Sequence, residues 1–226
     1  MIRAHAVPAR LAAPLDDEQV RAASALPGWS RGHVPAHLTD NARMFARLAE
    51  HALRGELVPA HDGGTEERNA IIEAGAGRSA AGHRAALAAR SAELESVRTR
   101  FTDADWDRPV TFRDADVTAT VHARRREVWI HRVDLDLGVR PGHWPEELAC
   151  HAIDFLLCRL PAGTRVRARD VRGEWARDGG PDPVVTGRVR DLAAWMAGRL
   201  PATLPVATEG LPVLGPWPPH PPGSRR

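Results

Sequence analysis

The chain has 226 residues, 43% hydrophobic and 27% charged, the balance of an ordinary globular protein with apolar material for one sizeable domain or two small ones. Its formal charge is only +2, and all 31 basic residues are arginines scattered among carboxylates, which argues against a nucleic-acid footprint despite a pI near 9.0. No apolar run approaches the roughly 20 residues a bilayer-spanning helix needs. The first residues lack the apolar core of a secretory signal, so no membrane is expected and the expected location is the cytoplasm. Cys150 and Cys158 stand eight apart in an apolar stretch, a spacing that excludes a CxxC motif and suits two reduced core thiols.

In chain order, acidic residues followed by Val20, Ala23 and Leu26 predict a short helix over 15–26, ended by Pro27 and Gly28. A second helix is predicted from near Ser30 to about Leu53. Pro35 interrupts it: without an amide hydrogen it is costly beyond the first turn, so either the cap falls later than Ser30 or the helix kinks. A loop over 55–64 leads to a third helix that pauses at 75–77 and restarts at Ser79, with Leu87, Leu94 and Val97 on one stripe. Residues 103–116 read as a loop or short strand pair. A helix over 118–137 follows, with Gly138 as its left-handed cap. Pro145 opens another helix to about Leu160. Beyond 162, three short extended segments near 166–170, 174–176 and 183–186 precede an amphipathic helix over 188–197 and a proline-rich tail with a turn or extended piece at 208–211. The tail beyond Pro219 is expected to be disordered. The predicted class is α+β: a helical bundle over 1–161 and a small α+β domain over 162–226.

The chemistry sits in two segments, Leu26-Pro-Gly-Trp-Ser-Arg-Gly-His-Val-Pro-Ala-His-Leu38 and Glu127-Val-Trp-Ile-His131. On a helix, positions i and i+4 lie about 40° apart around the axis and one turn apart along it, so Glu127 and His131 reach the same point. His37 from a facing helix would complete a two-histidine, one-carboxylate face around a divalent ion, with other positions left for a ligand. The plainer reading of Glu127 and His131 is a helix-surface pair worth a few tenths of a kcal/mol. Against it, Val128, Trp129 and Ile130 bring apolar neighbours, and a buried Glu and His need a partner or a metal. His33 competes with His37 but falls near the helix end, where capping or support of a ligand suits it better. Asp134 either orients His131 or is a plain surface carboxylate. Trp29 and Trp129 read as core or pocket walls. His51, His61, His83, His122, His143 and His151 show no partner in the sequence.

These two segments, the first continued to Asn41 and the second taken as Arg124-x-Arg-Glu-Val-Trp-Ile-His-x-Val-Asp-Leu135, resemble the mycothiol-dependent maleylpyruvate isomerase family. A looser third motif runs from Gly187 to Arg199. The resemblance covers nearly the whole chain and departs at Pro35, where the family usually has an aliphatic residue. It implies a DinB-like four-helix bundle holding Zn2+ through His37, Glu127 and His131, followed by a small α+β C-terminal domain covering one side of the site. It also implies mycothiol as cofactor: its thiolate adds to the cis double bond of maleylpyruvate, the resulting single bond rotates, and elimination leaves fumarylpyruvate. The substrate is a dianion, so arginines should orient its carboxylates and stabilise the enolate. Arg68, following the Gly63-Gly64 loop, is the first candidate, and Arg199, matching the arginine that closes the third motif, is the second. The partners implied are thus a small thiol and a small dianion. Two other functions fit the same ligands: a transferase joining mycothiol or a related thiol to another electrophile, and a non-catalytic metal-binding regulatory module. Nothing in the sequence sets the oligomeric state.

Overall fold

Residues 11–177 and 183–218 are described by the computed structural model. Their contacts divide them into two units, one up to Leu137 and one from Gly138 onward. No helix among the described residues is long and apolar enough to cross a membrane.

The first unit opens with a short helix α1 (Asp17–Arg21), begun by a capping box between Asp16 and Gln19. It stops well before residue 26. Ser24 turns the chain back instead: its amide and hydroxyl both donate to the Trp29 carbonyl, at 3.0 and 2.9 Å, and Ala23 bridges Ser30. Short polar side chains that bond nearby backbone groups compete with helix in this way. Gly28, at φ +78°, makes the tight return.

Helix α2 (His33–Leu53) is buried along most of its length and packs on the three helices that follow: α3 (Gly64–Ala76), α4 (Ala80–Arg98) and α5 (Val117–Asp134). Of the two outcomes open at Pro35, the later cap is the one found. Gly32 precedes the helix, so Pro35 lies in its first turn, where no intrahelical bond to its nitrogen is lost. Gly32 has a second reason to be glycine: a Cβ there would stand 2.2 Å from the Ala76 carbonyl oxygen and 2.9 Å from Val20. The pause near Gly77 is a true break, and Ser79 starts α4 by accepting the Gly82 amide. Residues 103–116 hold two 3-10 turns and a bridge between Pro109 and Asp116, and the Asp116 carboxylate caps α5. That helix ends at Asp134, earlier than predicted. Asp136 (φ +52°) is the left-handed residue that closes it, with Gly138 (φ +82°) two positions later.

Two apolar clusters fill the bundle. One gathers Val34, Leu38, Leu87 and Val128, and the other Phe45, Leu48, Leu94 and Ala123. Each large side chain so buried contributes about 1.5–3 kcal/mol. Among these apolar residues, α2 and α5 also bury polar groups, including His37, Asn41 and Arg124. A buried polar group without a partner is costly, so these groups are where the chemistry must be sought.

In the second unit, helix α6 (Glu146–Leu156) packs against α7 (Val189–Met196). The sequence reading grouped α6 with the bundle, but its apolar stripe is covered by α7, so the units part after Leu137 rather than at 161. Strands β1 (Arg165–Ala168), β2 (Glu174–Ala176), β3 (Val184–Gly187) and β4 (Val206–Ala207) form one sheet in the order β2-β1-β3-β4, with β1 and β3 parallel and the outer pairs antiparallel. Val166 and Val185 pair across β1 and β3 and are fully buried. The last strand precedes the predicted piece at 208–211, which is a turn closed by Gly210 at φ +87°. Both cysteines are free, but neither is in the core: Cys150 is half-buried, and Cys158 is exposed because α6 gives way to a 3-10 turn at Leu157. The architecture is α+β, as predicted. The tail beyond Pro219 lies outside the described residues.

Candidate active site

Helix geometry builds the site from two sides. On α5, Glu127 and His131 share one face at i, i+4 spacing, and α2 brings His37 against them across 90 residues of sequence. Each of the three offers a ligand atom within 4.8 Å of the others. Both imidazoles turn to the same carboxylate oxygen: His37 Nε2 lies 3.0 Å from Glu127 Oε2, and His131 Nε2 lies 3.3 Å from it. The His37 and His131 rings meet edge to face at 4.6 Å.

The electrostatics follow from burial against hydrogen bonding. His37, 4% exposed, has its pKa lowered to about 4, mainly by burial and despite its bond to Glu127. For His131 burial pushes the same way, but the carboxylates of Asp134 and Glu127 outweigh it and raise the value above the usual 6.5. Glu127 resists burial too, since bonds to His131 and His37 hold its pKa well below the usual carboxylate value. The ring nitrogen of His131 that faces away from Glu127 is also fixed: Nδ1 donates to Asp134 Oδ2 at 2.8 Å. Asp134 is 1% exposed, so it is not a surface carboxylate.

Trp29 walls the site from the loop before α2. Its indole stacks on His33 at 5.7 Å and on His131 at 6.3 Å, and is tilted against His37 at 5.8 Å. The loop is tied to the end of α5 by the Ala25 amide on the Asp134 carbonyl (2.8 Å) and by Arg31 on the Leu135 carbonyl (2.7 Å). His33 stays apart from the three converging groups. Its Nδ1 accepts from the Ser30 amide at 3.1 Å, and its Nε2 faces Glu73 at 3.1 Å.

Arg68, on α3, reaches the site and donates from Nη2 to His37 Nδ1 at 3.2 Å. Arg199 belongs to the second unit, where it lies over the Trp217 ring at 5.7 Å and donates to the Ala197 carbonyl. Trp129 is half-buried under the Arg132 guanidinium. Histidines read as partnerless have partners: His61 meets Asp40 at 2.8 Å, His51 meets Glu56 at 2.6 Å, buried His83 faces the Ala76 carbonyl at 3.2 Å, and His143 accepts from the Arg140 amide at 3.0 Å. The polar pair Asn41 and Arg124 received no role from the sequence. The signal was there, because Asn41 is i+4 from His37 and Arg124 is i−3 from Glu127, each one turn from a converging residue on the same face.

Two imidazoles and a carboxylate converge inside a helical bundle, with a small α+β unit after it, and form a group that could hold a metal ion. The chain belongs to the mycothiol maleylpyruvate isomerase N-terminal domain family, whose sequence model matches residues 3–136 and so spans all three converging residues. Two crystal structures share the fold. One is the mycothiol-dependent maleylpyruvate isomerase, with a TM-score of 0.81 and 24% identity over 96% of this chain and 92% of that one. The other is a histidine-to-alanine mutant of that isomerase, with a TM-score of 0.80 and 24% identity over the same shares. No curated protein is significantly similar in sequence.

Proposed function

We propose that this chain is a zinc- and mycothiol-dependent cis–trans isomerase that converts maleylpyruvate to fumarylpyruvate in the cytoplasm. The observation that carries the reading is the meeting of His37, Glu127 and His131 in a chain of this family. The residues suit a divalent ion. Their donor atoms already crowd one point, and Asp134 takes the hydrogen of His131 Nδ1, which leaves the Nε2 lone pair facing that point. A zinc ion held there would supply a thiolate at neutral pH, where a free thiol of pKa about 8.5 is mostly protonated.

The remaining work falls to the chain's own side chains. The thiolate forms a bond to one alkene carbon, and the π electrons move to the carbonyl oxygen as an enolate. Rotation about the new single bond and expulsion of the thiolate give the trans alkene and return the thiol unchanged. Arg68 is the group proposed to hold a substrate carboxylate and the enolate oxygen. Its contact with His37 Nδ1 fits that use: if His37 held a cation, Nδ1 would carry the ring hydrogen and would no longer accept, which would free the guanidinium for the substrate. Trp29 excludes water from the side it covers. Arg199 enters the proposal as the second substrate arginine only through its match to the family's third motif.

The test follows maleylpyruvate absorbance and free thiol together, with zinc-loaded protein and mycothiol. The expected result is loss of substrate absorbance with the thiol concentration unchanged. Consumption of thiol one for one with substrate would make the protein a transferase. Neither change would leave a metal-binding module.

A further inference from the structure

Arg124 is 6% exposed, deep among the apolar residues of the bundle, and among the described residues none of its hydrogen bonds goes to a carboxylate. Its Nη1 donates to the Leu38 carbonyl at 2.7 Å and to Asn41 Oδ1 at 2.9 Å, and its Nη2 reaches Ser91 Oγ at 3.4 Å. One guanidinium thus joins α5 to α2 and α4. It does so at the level of the site, since Leu38 adjoins His37 and Arg124 lies one turn before Glu127. Leucine or methionine would fill such a place without the penalty of stripping water from a charge. That penalty is visible in the group itself, whose pKa is lowered to about 10 by burial and by the neighbouring charge of Arg98.

We propose that Arg124 and Asn41 are positioning residues that set the separation of α2 and α5, and so hold His37 within coordinating reach of Glu127 and His131. The proposal rests on the metal-binding reading above. It makes a counter-intuitive prediction: a positive charge near the site repels a cation, so deleting the charge should tighten metal binding if electrostatics were its only influence. Positioning demands the reverse. The guanidinium offers several hydrogens in a rigid plane, which one ammonium cannot match, so Arg124→Lys should recover only part of the effect.

The experiment measures zinc affinity of the full chain by competition with a chromophoric chelator, and the melting temperature with and without zinc. Arg124→Met is expected to weaken zinc binding by about 10–100-fold, the range for groups that orient metal ligands. Asn41→Ala should weaken it by less, Arg124→Lys should fall between Arg124→Met and the unaltered chain, and the zinc-induced rise in Tm should shrink in the same order. Affinity in Arg124→Met equal to or tighter than that of the unaltered chain overturns the proposal, even if its Tm falls equally with and without zinc, because that is the signature of a purely structural role. If Arg124→Met does not fold, Asn41→Ala decides, and unchanged affinity there overturns it. Failure of the unaltered chain to bind zinc overturns the metal reading itself, an outcome distinct from binding that survives the Arg124 change.

Discussion

Helix α2 carries two buried histidine–carboxylate clusters less than a turn apart, and they differ in what completes them. At Asp40 the set is closed: Oδ1 accepts from Arg43 Nε and Nη2 at 3.0 and 2.9 Å, and Oδ2 meets His61 Nε2 at 2.8 Å. A permanent cation, the Arg43 guanidinium, neutralises the carboxylate. At Glu127 two imidazoles converge on one carboxylate oxygen instead. Burial and a short His–carboxylate distance therefore do not by themselves mark a reactive centre. What sets the Glu127 cluster apart is several donors aimed at one point, the arrangement on which the proposed metal site rests.

The strongest way to break the comparison is to remove a converging group. His37→Ala should abolish stoichiometric zinc binding and turnover together, checked by metal analysis and the absorbance assay. Arg68→Ala should separate the two: zinc is retained, while turnover falls by about 100- to 1000-fold, the loss typical for one group that stabilises developing negative charge. Loss of zinc in Arg68→Ala would mean that the arginine serves the metal face and not the substrate.

Much of this contrast was legible before the fold. The i, i+4 spacing placed Glu127 and His131 together, and the position of Pro35 in the first turn of α2 was one of two outcomes its chemistry allows. The helical bundle and three of the four strands followed from the change in periodicity near residue 162, although β4 fell outside the predicted segments and the helix before that point, α6, gives its apolar face to α7. The helix predicted over 15–26 ends early, at Arg21, because Ser24 bonds the Trp29 carbonyl, a local competition that apolar spacing does not register. The Asp40–His61 pair was invisible for another reason: His61 sits in a loop, 21 residues from its partner, and only tertiary packing of that loop on α2 brings them together. Asn41 and Arg124 lay in plain sight within the recognised segments, but their meeting depends on how two helices cross.

A subtler change acts on the support behind one of the proposed ligands, His131. Asp134→Asn keeps the size of the side chain but removes the charge that holds the His131 Nδ1 hydrogen, and an amide can present its NH2 instead of its oxygen. Zinc affinity should fall by about 10-fold or more, less than on loss of His37, with the fold retained by circular dichroism. Unaltered affinity would show that His131 is oriented by the Trp29 stack alone.

The closed cluster should respond to acid, without touching the site. Bonds to His61 and Arg43 overcome the effect of burial and lower the Asp40 pKa below its usual 3.8. A depressed carboxylate contributes stability that is fully present above the unfolded value and is lost as pH falls through the folded one. The unaltered chain should therefore lose this contribution only below about pH 3.8. Asp40→Asn should be less stable at neutral pH by about 1.5–3 kcal/mol, the size of a hydrogen bond to a charged group. The gap between the two proteins should narrow as the pH drops below that value, as followed by urea unfolding across the acid range. Zinc affinity at neutral pH should stay within about twofold, because the cluster that Asp40 completes has its cation built in; a gap that stays constant through the acid range would show that Asp40 is not held ionised by His61 and Arg43.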